Sequence, residues 1–462
     1  MAAITSSGAG SGLQVNSLVE QLVAAERAPY DARLTRVDTK LTTEFSALSQ
    51  LKAAMSSFQS ALTTLKAADA FALRKATVSD ETAFTATASS TAASGSYDVE
   101  VKQLARAAQL GSAPFLAGAD AVVGTGTLAI SMGTATFNIT LDAEHSTLGN
   151  IRDAINNAPA NPGVRATLIR GVAGSQLVLT GAATGAGKAI KVLASGGNGG
   201  LAQIAYDPPG ITGLDLIGDP PQDAIVFVSG IEIHSADNSI DEAIDGVTLS
   251  LKKADEGTLV SLTVASDDSG IQSRATGFVN AYNVLANQIA KLRSYDAATK
   301  AAGPLLGDAM LRNIESQMRR LVSEPVSSGT QPYTTLASLG ITSTVTGTLA
   351  LDSAKFNAAL AANPAAAGAV FGSTDGVAKR LDSFLTGHLA TTGDLATRDA
   401  GITTRRKDLT AQQTALDARM AVIQARYLKQ FTALDSLLTQ MQSTSSYLAT
   451  QLNQISSIGN QS

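Results

Sequence analysis

Apolar side chains return every seven positions toward the C-terminus, at Met420, Tyr427, Leu434, Met441, Leu448 and Ile455. A companion row at Leu409, Leu416, Ile423 and Leu437 runs beside it, interrupted by Gln430 and Thr444. The N-terminal part carries the same period. Leu34, Leu41, Leu48, Met55 and Leu62 form one row; Tyr30, Val37, Leu51, Phe58 and Leu65 form the other, broken by Glu44. Such spacing holds a narrow apolar seam on one side of a helix, the condition for a coiled coil. Seams at both ends predict that the termini associate and that everything between them is an insertion carried on a helical leg.

Residues 1–12 are rich in Gly, Ser and Ala and read as disordered when alone. A short amphipathic stretch from Leu13 to Val23 is expected to end near Pro29, which suits the first position of a new helix better than an interior. The long heptad helix should then run to about residue 67, spanning roughly 55 Å at ~1.5 Å per residue.

From residue 76 the period switches to two, with Tyr97, Val99 and Val101 on one side and Asp98, Glu100 and Lys102 on the other. Further strands are expected at Gly126–Met132, Thr136–Leu141, Arg165–Ile169, Gln176–Thr180, Ala224–Ile233, Val247–Leu251 and around Leu262. Gly- and Pro-rich breaks at 195–200 and 207–210 separate them. A short helix fits Thr147–Asn156, and Ser239 to Ile244 reads as a small helical turn after a strand. Helical spacing returns at Ile271–Leu292, then from Pro304 through Leu311, Ile314, Met318 and Leu321. A hairpin is expected around Gly347. Helix resumes near Gly376 and, after a break at about Gly401, enters the C-terminal seam.

The pattern predicts an α+β multidomain chain, with a long antiparallel helical coiled-coil leg formed by both termini and a β-rich two-part head. The expected divisions are 1–40 with 430–462 as a flexible leg tip, and 41–75 with 270–429 as the helical leg. An inner head spans 76–110 with 222–269, and an outer head spans 111–221. The leg core is assigned to Leu34, Leu41, Leu48, Met55 and Leu62 against Leu416, Met420, Ile423, Tyr427 and Leu434. Beyond about Leu434 the stripe outruns what the Leu13–Val23 segment covers, so it calls for partners from other chains.

Composition narrows the functional classes. The 462 residues carry a net charge of -5, which offers no basic surface for nucleic acid. There is no cysteine, so disulfides and thiolate metal sites are excluded. No apolar run reaches the roughly 20 residues that span a bilayer, and the first cation is Arg27, which argues against a secretory signal. No membrane partner is expected. Gly181 to Lys188 resembles a phosphate-binding loop, but it has one residue too many and Ala189 where Ser or Thr would hold magnesium. Gly124 to Ala129 matches the letters of a dinucleotide fingerprint, yet it leads into a strand rather than a helix. His145, His234 and His388 lie far apart. No catalytic residue, cofactor or metal site is expected, and the chain is not read as an enzyme.

Several stretches, in order along nearly the whole chain, resemble the bacterial flagellar filament-capping family, also called hook-associated protein two. They are Ser11–Val19 with Glu26–Pro29, Gly95–Ala105, Thr147–Asn156, Asp223–Gly230 with Ile244–Leu249, Phe278–Asn283 and Gln430–Asp435. Gln14 stands where the family often has Asp, which removes the expectation of a local cap on the first helix. The resemblance implies a ring-shaped homo-oligomer at the extracellular tip of the bacterial flagellum. Its legs would meet the filament end while its heads form a plate, helping exported flagellin to fold and insert and preventing its loss. It also implies export through the flagellar type III channel without a cleaved signal, together with hook–filament junction proteins and a cytosolic export chaperone as partners. Filament and subunit contact would fall on Leu13, Val15, Leu18, Leu22, Leu448, Leu452 and Ile455. Two other readings are a mucus or glycan adhesin at the tip, which the scarce aromatics of residues 110–221 disfavour, and a filament or hook-junction subunit.

Overall fold

The computed structural model describes residues 14–67, 69–329 and 331–459, with side chains described through Asn453. Leu13, the Gly/Ser-rich residues before it and the side chain of Ile455 lie outside the described residues. The chain divides into two compact units. One is helical and draws on the described residues of 1–68, 274–359 and 369–462; the other is β-rich and comprises 69–273 with 360–368.

Helix α1 runs unbroken from Val15 to Leu62 and tightens into a 3₁₀ turn at Thr63–Leu65. Its N-cap residue, Gln14, makes no side-chain capping bond. Pro29 lies inside α1, so the expected helix boundary there is absent. Proline removes one ladder hydrogen bond and crowds the carbonyl four residues earlier. Here both Pro29 and Ala25 are exposed, so the freed carbonyl faces water and the helix continues.

The β-rich unit follows in chain order. It comprises β1 (Arg74–Val78), β2 (Phe84–Ala88), β3 (Gly95–Gln103), β4 (Ala107–Ser112), β5 (Gly126–Met132), β6 (Ala135–Leu141), α2 (Leu148–Asn157), β7 (Val164–Gly171) and β8 (Gly174–Thr184). Then come β9 (Ile190–Ser195), β10 (Leu214–Leu216), β11 (Ala224–Val228), β12 (Ile231–Ser235), β13 (Ser239–Ile244), β14 (Val247–Leu251) and β15 (Val260–Ser266). Two sheets, ordered β1-β15-β3-β11-β12 and β13-β14-β2, enclose a core around Phe84, Val99, Val226, Leu249 and Leu262. Two others, β10-β4-β8-β7 and β6-β5-β9, enclose a separate core with α2 around Leu110, Leu128, Ile151 and Leu177. The alternation of β3 sets its register on β15, placing Val99 opposite Val260 and Tyr97 opposite Leu262. Where the cores meet, Arg106 pairs with Asp219, and the Asn238 amide both donates to and accepts from the backbone of Ala105, at 2.9 and 2.8 Å.

Two strand expectations change. Ala224 to Ile233 is a hairpin rather than one strand, because Ser229 and Gly230 take φ of 50° and 83° and reverse the chain. A two-residue turn with both φ positive matches the twist of the strands it joins. Ser239 to Ile244 is β13, not a helical turn, since its ladder on β14 satisfies the backbone that a lone turn would leave open. Thr147 caps α2 by accepting a bond from the Asn150 amide, as its sequence suggests.

The chain continues through α3 (Asp268–Leu292), the small hairpin β16 (Tyr295–Asp296) and β17 (Ala301–Ala302), and α4 (Ala309–Ser323). Next are β18 (Ile341–Ser343), β19 (Leu349–Leu351), α5 (Ser353–Ala362), α6 (Ala366–Gly372), α7 (Val377–Leu389) and α8 (Asp394–Gly459). Helix α4 starts after Asp308, not at Pro304, because the Asp308 carboxylate accepts the Leu311 amide at 3.0 Å and supplies the cap. Its inward row ends on Val322 in place of Leu321. The expected break at Gly401 falls instead between α7 and α8. At Gly393 a side chain would press on the carbonyls of Gly387 and His388, whereas Gly401 has open space around it and the helix passes through.

Candidate assembly interface

Helices α1 and α8 lie antiparallel along one another. Arg27 pairs with Asp417 at 2.6 Å, the Tyr427 phenol donates to Glu26 at 3.1 Å, and Arg406 lies 6.0 Å from the ring of Phe45, so pairing advances along one helix as it retreats along the other. The rows at Leu34, Leu41, Leu48, Met55 and Leu62 and at Leu409, Leu416, Met420 and Ile423 are buried, and Tyr427 is half-buried. Each such leucine withdraws enough apolar surface to contribute about 1.5–3 kcal/mol. Hydrogen bonds that the Arg27 guanidinium donates to Asp31 and then to Asp417 hold it above its ordinary pKa, so the cation at this crossing is secure.

Farther down, α3 and α7 join the pair through the Gln50–Gln288 and Gln59–Thr386 hydrogen bonds and the Lys66–Asp382 ion pair at 2.8 Å. There Phe58, Phe278, Tyr282 and Phe371 form a buried aromatic cluster, with Phe278 edge-on to Phe371 at 5.0 Å. Burial pushes the Tyr282 phenol up to about 12. The second row of α1 is buried only in this region. Tyr30 and Val37 remain 40% and 41% exposed, because two helices alone cover one narrow seam.

Toward its C-terminus α8 loses its cover. Leu434, expected in the leg core, is 44% exposed, and Met441, Leu448 and Leu452 are 62%, 55% and 66% exposed. In the antiparallel register set by Arg27 with Asp417 and Glu26 with Tyr427, α1 begins at Val15 and so runs out well before α8 ends at Gly459. Leu18 and Leu22 are each 38% exposed. Val15, expected among the outward contacts, is 1% exposed, because it lies one turn from Val19 on a face already withdrawn from water.

Each histidine sits beside a carboxylate, His145 on Asp142, His234 on Glu232 and His388 on Asp394, at 2.7, 2.8 and 2.8 Å. These pairs are remote in sequence, and among the described residues no three His, Asp or Glu side chains gather as a metal site. After Thr180 the phosphate-loop look-alike simply continues β8 to Thr184 and ends in a 3₁₀ turn. Sequence reasoning missed the cations flanking the α1–α8 seam, since exposed Arg and Lys carry no periodic signal. It also missed the Asn carboxamides that brace loop backbones. Among the described residues no helix is long and apolar enough to cross a membrane.

A helical pair with an uncovered apolar stripe at one end, bearing a β insertion, defines a structural assembly protein. Family models agree, with matches to the flagellar hook-associated protein 2 N-terminus over residues 11–108, its C-terminus over 221–443 and the flagellin hook IN motif over 127–183. The chain is 34% identical over 470 residues to the A-type flagellar hook-associated protein 2 of Pseudomonas aeruginosa, covering 98% of both chains. It is 34% identical over 467 residues to that of Escherichia coli K12, again covering 98% of both. The crystal structure of the D1-D2-D3 domains of the Escherichia coli flagellar cap protein superposes with a TM-score of 0.67 at 33% identity, over 77% of this chain and 99% of that one. The chain belongs to the flagellar hook-associated protein 2 family and functions as a flagellar cap.

Proposed function

We propose that the chain caps the growing distal end of the flagellar filament as a ring of identical copies, outside the cell. In this reading α1 and α8 form a coiled-coil leg. The tip is 1–40 with 430–462, the leg body is 41–75 with 270–429, and the inner and outer heads are 76–110 with 222–269 and 111–221. The leg tip meets the filament end and neighbouring copies through Leu13, Leu18, Leu22, Leu448, Leu452 and Ile455. Flagellin arriving at the tip folds and inserts beneath the heads, and the ring stops its escape. The single observation behind this reading is the α8 stripe beyond Leu434, exposed although its spacing suits a partner helix.

The contact has to be reversible, because the cap steps as each subunit inserts. Ordering a helical end costs about 1–2 kcal/mol per residue in backbone entropy, which offsets much of the apolar gain and keeps the net affinity low. Export through the flagellar type III channel, an export chaperone on the α8 stripe and contact with hook–filament junction proteins complete the proposal. The family relatives favour capping over the adhesin reading. Removing residues from Asp435 onward should leave both units folded yet abolish filament growth, with flagellin shed into the medium. Long filaments on cells carrying that truncation would overturn the proposal.

A further inference from the structure

The helical unit has a second apolar surface that the capping reading leaves unused. It is a groove between α1 and α8, about 570 Å³ beside Leu34, Val37, Leu41 and Leu409, continuing into a further 280 Å³ beside Tyr30 and Leu416. Arg33, Leu34 and Gln412 line both parts, so the two are one trough. From Tyr30 to Glu44 it follows α1 for about four turns, roughly 21 Å at ~1.5 Å per residue.

The rim is strongly cationic on a chain whose net charge is -5. Arg33, Arg36, Lys40, Arg405 and Arg419 border the trough against two carboxylates, Glu44 and Asp408. Little of this charge is neutralised internally. Lys40 is 4.0 Å from Glu44, and Arg419 lies 5.6 Å from the ring of Tyr30. Among the described residues the Arg36 guanidinium donates only to the Ala32 carbonyl. Among the described residues Arg33 and Arg405 enter no ion pair.

An apolar floor between two helices accepts a third helix, and the rim sets the charge of its flanks. The distal α8 of a second copy is a poor match, because Asp435 is the only charged side chain between Gln430 and Gly459. We propose that this trough docks an amphipathic helix from another protein, with an apolar stripe at seven-residue spacing flanked by Asp and Glu.

The test uses the full-length chain and a synthetic helical peptide of about four turns, with Leu on one stripe and Glu on both flanks. Its twin carries Lys in place of Glu. Fluorescence anisotropy should show binding of the Glu peptide alone, weakening as salt rises. The double variant Arg33→Glu with Arg405→Glu should lose at least roughly tenfold in affinity, and Val37→Asp should weaken binding without altering the circular dichroism spectrum. On the unsubstituted chain, carbodiimide coupling should join the peptide's Glu to Lys40 as an amide, which needs no variant to fold. Equal binding of the two peptides, no binding of either, or coupling only outside the trough overturns the proposal. So does light scattering that shows the trough closed by a second copy, or preferential binding of a single-stranded RNA homopolymer.

Discussion

Asn156, Asn238 and Asn283 each turn a carboxamide toward one backbone residue and bond both its N–H and its C=O, while Asn161 does so to Val164 and also reaches Ile155 and Gly163. Asn283 accepts from the Leu349 amide at 2.7 Å and donates to its carbonyl at 2.8 Å; Asn156 treats Ala166 in the same way, at 2.9 and 2.8 Å. A strand edge without a neighbouring strand is completed by a side chain, which keeps buried amide groups satisfied. Replacing Asn283 by Ala should cost about 1–3 kcal/mol, the penalty for stranding a donor and an acceptor, measured as a lower urea midpoint with unchanged slope. Tyr282 gives a test in pH. Its phenol is raised by burial from 10.0 to about 12, so the stability it contributes is complete below pH 10 and lost as pH rises toward about 12. Alkaline unfolding should therefore be shallower in Tyr282→Phe than in the parent over that window. The sequence signatures around Phe278 and Asn283 were legible, but what the carboxamide bonds was not, because Leu349 lies far along the chain. Gly197 has the same character. Its glycine-rich surroundings announce a turn, yet only the fold places its φ at +67° with a side chain colliding with the Thr125 carbonyl oxygen. Gly197→Ala should destabilise by about 1–3 kcal/mol, seen as a lowered melting temperature.

Among the helices and strands, burial separates positions that periodicity treats alike. Met420 and Leu448 belong to one seven-residue row, yet Met420 is 3% exposed and Leu448 55%. Met420→Ala should cost about 2–5 kcal/mol, whereas Leu448→Ala in the isolated protein should stay within about 0.5 kcal/mol; equal losses in thermal unfolding would mean that the stripe is already covered. Strongly periodic elements were readable: α2, α3, β5 and the β18–β19 hairpin lie where their patterns put them. Short strands with small side chains were not. β1, β2 and β4 carry too few large apolar residues to announce alternation, and tertiary pairing alone secures them. Pro29 misled for the opposite reason. Local chemistry favours a boundary there, but packing of α1 along α8 on both sides of it outweighs one lost hydrogen bond.

For the whole molecule, composition made the broad class legible. An acidic, cysteine-free chain with apolar seams at both ends points to an assembly protein, and the family comparisons agree. The insertion topology has a further consequence. Arg27 and Asp417 meet although nearly the entire chain separates them, so an unfolded polypeptide would close a very long loop to join its helices. The antiparallel ladder of β1 on β15 shortens that search, because Arg74 lies opposite Ser266 and the insertion leaves where it began. Once those strands zip together, roughly 190 residues drop out of the effective loop. The β unit should therefore gain hydrogen-exchange protection before α1 does in pulse-labelled refolding, making the central insertion the chaperone of its own chain's ends.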